Sequence, residues 1–365
     1  MPFEKKVVDS LGAYLDTVAA LGEKDLKNRL QPDILWFRGH SNAMYTLAPS
    51  LFRTTAEAGR GKHGIMYTNL HYAEDIRAQH YIAKNFHLIS TEPASRVEWL
   101  EIMQHHQTNT RALDWSESSV HSLLFALEPF FEKRATDDLR KQCVPCVWVL
   151  KPGMLNRKIL DFLKTNKNLQ QALLSDLSLS AADKFLIMEK LEEFGNWSQY
   201  SETRETRHLD YIFNLSSIND EILRDRSRIR ELLRTGDVMN PYFYLLARIY
   251  SDGYLLPDHQ LPPLCVVQPY HSERIKAQRG VFSIFPFYER KNVGEENTED
   301  AVLRNYGINP DAMERNAMAE ECLCQIVIQR PQKVALEMMK NGMNDSWLYP
   351  EMPVVSSEIE NHRIY

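Results

Sequence analysis

The sequence predicts an α+β fold: a mixed sheet of short strands with flanking helices, plus a helical insertion over residues 155–250. Three observations carry that expectation. Apolar runs of strand length recur at residues 34–38 and in "CVWVL", "LCVVQPY", "GVFSIFPF" and "CLCQIVIQ". Long stretches with helical spacing of apolar residues separate them. No Pro/Gly-rich linker divides the 365 residues, so residues 1–365 read as one domain. A separate helical domain at 155–250 is the alternative.

The elements follow in order. Leu11, Tyr14, Leu15, Val18 and Leu21 share one face of a helix that begins the stretch 7–29. Ile34 to Phe37 read as a short buried strand, with Arg38 at its end and Gly39 after it. A Gly-rich turn, "EAGRGKHG", precedes helical periodicity from about Leu70 to Leu88. "SRVEWLEIMQHH" predicts a helix, with Ser95 and Glu98 in capping-box spacing. "QTNTRALDWSESS" is polar and rich in turn formers, and leads into an apolar helix, "VHSLLFALEPFFEK". "CVWVL" is a second strand, ended by Lys151, Pro152 and Gly153. The region 155–250 is largely helical, with a polar loop in "NWSQYSETRETRHLD". "GEENTED" reads as an exposed loop, and "PQKVALEMMKNG" as a last helix that starts at Pro331 and stops near Gly342.

Composition bounds the function. With 44% hydrophobic and 25% charged residues the chain has material for a sizeable core. Its 43 basic and 49 acidic residues give a net charge of -6, which excludes a global basic field for nucleic acid or membrane while leaving room for a local patch. No apolar run reaches the roughly 18–20 residues that span a bilayer. Asp9 and Asp16 lie where a signal peptide would be apolar, so a cytoplasmic protein is expected. Five cysteines at irregular spacing are no disulfide framework. Cys143 and Cys146 form a Cys-x-x-Cys, but Cys322 and Cys324 are one residue apart, so buried strand cysteines are expected rather than zinc.

Three polar clusters interrupt the apolar pattern, each at an element edge where a rigid scaffold can hold functional groups. The first is Arg38 with His40, Ser41 and Asn42; the second holds Gln104, His105, His106, Thr110, Arg111 and Asp114; the third holds Glu273, Arg274, Gln278, Arg279 and Gly280. An arginine fork binds carboxylate or phosphate at two points, and two arginines near a glycine could grip a pyrophosphate. Neither a P-loop, nor a dinucleotide glycine fingerprint, nor a nucleophile elbow is present. The competing reading makes Arg38 and Asp114 a buried ion pair that fixes two segments. His105 and His106 are adjacent and point to different faces of a helix, so one at most serves a common site.

"WFRGHSNAMYTLAPSLFR", "MQHHQTNTRALDWSESSVHSLLFA" and "AQRGVFSI" resemble, in order, the three signature blocks of the FRG domain family of bacteria and phages. The Phe-Arg-Gly of that name is Phe37, Arg38 and Gly39 here, and the segment Ser346 to Pro350 resembles the family's closing turn. Gln107 and Asn109 stand where the family's second block usually has glycine and proline, whereas Arg111, Asp114 and Trp115 follow its pattern.

A weaker likeness is to ADP-ribosyltransferases. These open with an aromatic-Arg-Gly strand, continue with a Thr/Ser-rich strand leading into a helix, and carry Glu or Gln on a late strand. The likeness implies NAD as cofactor or substrate. Arg38 would then hold its pyrophosphate or ribose, with Gly39, His40, His105 and Arg111 around the ligand, and Ser116 would support the second strand. Gln278 would stand at the place of the catalytic glutamate. A glutamine supplies no negative charge, and Asp114 is the carboxylate that could. The resemblance thus implies an NAD-using or NAD-cleaving enzyme in phage–host conflict. Two other classes compete with it: a nucleic-acid-binding or -processing protein with Arg38, His105 and Arg111 on phosphates, and a non-enzymatic interaction module.

Overall fold

The computed structural model describes residues 3–23, 34–53, 70–85, 87, 96–106, 108–131, 144–175, 180–195, 213–214, 240–257, 260–267, 273–288 and 312–343. The Gly-rich turn, the polar loop within the helical region, "GEENTED" and the closing turn all lie outside them, as does Cys143.

The fold is α+β. Ten strands are described: β1 (Glu4–Val8), β2 (Trp36–His40), β3 (Ala112–Ser116), β4 (Cys146–Leu150), β5 (Phe213–Asn214), β6 (Leu255–Leu256), β7 (Leu264–Val267), β8 (Gly280–Ile284), β9 (Phe287–Tyr288) and β10 (Leu323–Ile328). Eight form one mixed sheet in the order β1-β10-β4-β2-β3-β8-β7-β5, and β6 pairs with β9 separately. β1 runs parallel to β10 and β5 parallel to β7, while the pairs between β10 and β7 are antiparallel.

Strand periodicity explains how the sheet is covered. In β4, Cys146, Trp148 and Leu150 enter one core, with Trp36, Leu113 and Trp115. Val147 and Val149 enter another, under α1 (Leu11–Glu23), α4 (Ser119–Phe131) and α11 (Pro331–Lys340). β4 is buried on both faces, which is why it is apolar throughout rather than alternating. Tyr14 and Leu21 of the first helix lie in that second core, as their spacing predicts.

Helices α5 (Pro152–Thr165), α6 (Lys167–Ser175), α7 (Ala181–Gly195) and α8 (Asn240–Tyr250) share a third core with Ala112, Val266, Phe282 and Ile284 of the sheet. These four helices of the region 155–250 therefore pack directly on the strands. Asn156 of α5 clamps β7: its amide nitrogen donates to the Cys265 oxygen at 2.8 Å, and its oxygen accepts from the Cys265 N–H at 2.9 Å.

Three sequence expectations change. The strand expected at 34–38 is shifted to Trp36–His40 and contains Gly39. "QTNTRALDWSESS", read from its residues as polar and turn-forming, contains β3, because Leu113 and Trp115 on one side of the strand are buried. β1 was not expected, because Glu4 and the two lysines that follow it make an exposed edge. Four described cysteines are free buried thiols, three of them in β4, β7 and β10. Among the described residues no helix is long and apolar enough to cross a membrane.

Candidate functional site

The site forms where the sheet loosens. β2 pairs with β4 along its length, from Trp36 opposite Leu150 to His40 opposite Cys146. Toward β3 its pairing is confined to Phe37 opposite Ser116. Beyond that pair the strands leave room between them, and a cleft of about 620 Å³ opens beside Arg38, His40 and Asp114.

Gly39 makes the approach of α4 possible. A Cβ at that position would lie 1.9 Å from the Ser122 oxygen and 2.7 Å from the Ala126 nitrogen, both backbone atoms of the helix. Only glycine allows so close a crossing. The Arg-Gly dipeptide thus couples a cleft-lining cation to the helix that forms the cleft wall.

Arg38 is held at two points. Its Nη1 donates to the Asp114 backbone oxygen at 2.6 Å, and its Nε donates to Nε2 of His40 at 3.1 Å. The carboxylate of Asp114 is more distant, 3.9 Å from Nη1, and about half of that side chain is exposed (47%). The pair is therefore not the sealed ion pair of the competing sequence reading. Nη2 of Arg38 has no protein partner among the described residues.

The charges follow from this arrangement. Burial draws the Arg38 guanidinium below its ordinary pKa; the charge of Arg53 adds to the effect, and Asp114 opposes it. His40 is pushed down to about 3, first by burial and then by the Arg38 cation. It is therefore a neutral ring at pH 7, accepting at Nε2 and carrying its proton on Nδ1.

Asp114 is oriented by a relay. Its Oδ2 accepts from the Gln104 amide at 3.2 Å, and the Gln104 oxygen accepts from the Thr110 hydroxyl at 2.7 Å. Ser116 ties the end of β3 to α9 (Glu273–Gln278): its hydroxyl donates to the Gln278 oxygen at 2.6 Å and accepts from the Ser118 N–H at 3.0 Å. The next residue, Arg279, adopts φ +48°, a left-handed conformation rare for non-glycine residues, and its oxygen accepts from the Glu117 N–H.

Of the residues singled out in the sequence, Arg38, Gly39, His40, Asp114, Ser116 and Gln278 line this one cleft, as do Ser41, Gln104 and Gly280 of the three polar clusters. Gln278 does so from the end of a short helix before β8, not from a strand as the resemblance implies. His105 ends α3 (Arg96–His105), and its side chain is outside the described residues. Arg111 is not in the cleft lining. It is fully buried, in an ion pair with Glu74 at 3.0 Å, with Nη2 donating to the Tyr250 and Ser251 oxygens and its guanidinium over the Phe287 ring. The cleft also holds Tyr45, Arg53, Ser122 and Glu128, which sequence reasoning missed. Arg53 closes the first signature block, the one signal that could have singled it out.

Residues 33–135 match the family model of the FRG domain. The chain carries an FRG domain. The matched span of the FRG domain supplies β2, β3 and α4, hence Arg38, Asp114 and Ser122. Ile275, Gln278, Gly280 and Phe282 complete the cleft from outside the match. No curated protein and no solved structure matches the chain. Among the described residues no group of three or more His, Cys, Asp or Glu side chains is placed to hold a metal ion.

Proposed function

We propose that the cleft binds NAD or a related nucleotide, and that the FRG domain protein cleaves the nicotinamide–ribose bond or transfers the ADP-ribose, in the manner of an ADP-ribosyltransferase-like enzyme. One observation carries the reading. Arg38 is fixed by two hydrogen bonds yet its Nη2 has no partner among the described residues, in a cleft it shares with a half-exposed carboxylate. A preoriented guanidinium of this kind suits a phosphate.

The residues fit such a ligand in a second respect. The Ser122 hydroxyl, on the wall of the cleft, is buried and has no hydrogen-bond partner among the described residues. A buried polar group left unpaired costs stability, and a polar ligand reaching it would remove that cost.

In this reading Arg38 holds the diphosphate, and the Gln104–Thr110 relay keeps the Asp114 carboxylate turned to the site. Positive charge develops on the ribose as the bond to nicotinamide breaks, and Asp114 stabilises it. Gln278 contributes an uncharged hydrogen-bonding side chain. The phage–host setting comes from the family resemblance and not from the cleft.

The test combines thermal-shift measurements with nicotinamide release followed by chromatography. NAD at a hundred times its dissociation constant should stabilise the fold by about 2.7 kcal/mol, with release of nicotinamide. No shift and no release would reject the proposal. A shift with short RNA or DNA that collapses steeply with salt would favour the nucleic-acid reading instead.

A further inference from the structure

Arg53 is the second guanidinium of the cleft, and its backbone is firmly seated. Leu51 and Phe52 before it are buried, the Leu51 N–H donates to the Thr110 oxygen at 3.1 Å, and the Arg53 N–H to the Pro49 oxygen at 3.2 Å. The Phe52 ring packs edge-on against Phe285 and Phe287. Arg53 itself is exposed, lines the cleft, and pairs with no carboxylate among the described residues.

Its charge is felt by its neighbours. Arg53 works against the protonated forms of both Arg38 and His40. Asp114 answers part of the Arg38 charge, and among the described residues no carboxylate forms an ion pair with Arg53, although Glu128 also lines the cleft. Two like charges in one cleft repel, and an anion placed between them relieves the repulsion.

We propose that Arg53 and Arg38 form a two-arginine grip that makes the cleft select diphosphates over monophosphates. This rests on the nucleotide reading of the cleft and adds to it a rule of selection. A single phosphate satisfies one guanidinium. A diphosphate offers an anionic centre to each, so the second arginine contributes only when the second phosphate is present. Ser41 and Tyr45 line the cleft beside the pair and supply hydroxyl groups to the same ligand. Arg111, the other arginine of the signature blocks, cannot take this place, because its guanidinium is spent on Glu74 and backbone oxygens.

The experiment is calorimetric titration of ADP and AMP into the wild-type chain and Arg53→Ala, with melting temperatures as the check on folding. The wild type should bind ADP at least about tenfold more tightly than AMP, and Arg53→Ala should bring the two within about twofold. Because Arg53 is exposed, the melting temperature should hardly move. Equal wild-type affinities for ADP and AMP, or an unchanged ratio in a folded Arg53→Ala, would overturn the grip. The two proposals fail separately. NAD binding with an Arg53-insensitive ADP/AMP ratio removes the grip alone; an Arg53-dependent ADP preference without NAD binding or cleavage removes the NAD reading alone.

Discussion

The Arg38 guanidinium donates to the backbone oxygen of Asp114 at 2.6 Å, bridging two strands that otherwise meet through Phe37 and Ser116. The bond spans the gap where the sheet opens. It makes one arginine both a strut between β2 and β3 and the cation of the cleft, so its removal acts on shape as well as charge.

Asp114→Asn isolates the charge. The amide has the shape of the carboxylate and leaves the Arg38 bond to the backbone oxygen in place. Nicotinamide release should fall by about 10²–10³, the scale of losing one electrostatic stabiliser, with little change in melting temperature. Full activity in this variant would show that Asp114 is not the stabilising carboxylate.

Arg111 and Glu74 should behave as scaffold. Arg111→Ala would strand a fully buried carboxylate, and Glu74→Ala a buried guanidinium. Each should cost about 3–5 kcal/mol in urea unfolding. A loss under about 1 kcal/mol, in the range of an exposed pair, would show the ion pair to be dispensable.

Gly39→Ala places a methyl group against two backbone atoms of α4, neither of which can rotate away. The expected cost is at or above the upper end of the roughly 1–3 kcal/mol typical of overpacking, because the helix must move. A melting temperature equal to wild type would mean that α4 does not press on β2 as described.

The pH dependence follows from His40. Its folded pKa, about 3, lies below the ordinary 6.5. Above about pH 6.5 the ring is neutral in both states and imposes no penalty. As pH falls from 6.5 toward 3 the unfolded chain takes up a proton that the folded one refuses, so stability declines across that window. His40→Gln should flatten the profile. An identical slope in that variant would place the acid sensitivity elsewhere.

Much of this was legible before the structure. β4, β10 and α11 were readable because each is apolar in a pattern that one environment explains: burial on both faces for the strands, one face for the helix. β3 was hidden by its own role. Asp114 and Ser116 turn to the cleft, so a strand that carries the site reads from its residues as a polar turn. The convergence of Arg38, Asp114 and Gln278 was expected from their positions at element edges. Which arginines line the cleft was not, because spacing cannot tell the buried Arg111 from the exposed Arg53. Ser122 looked like any small residue in an apolar helix. Its importance lies in an unmet hydrogen bond, which a sequence does not display.

The central claim, that Arg38 presents a preoriented Nη2 to a nucleotide diphosphate, is tested most directly by calorimetric titration of NAD into wild type and Arg38→Lys. Lysine keeps the charge but loses the planar group that is held by His40 and Asp114 while it turns Nη2 to the ligand. Binding should weaken by about 1.5–3 kcal/mol, the usual worth of a hydrogen bond to a charged group, in a variant whose unfolding curve shows it folded. Equal NAD affinity in the two folded proteins, or no binding to either, would contradict the account.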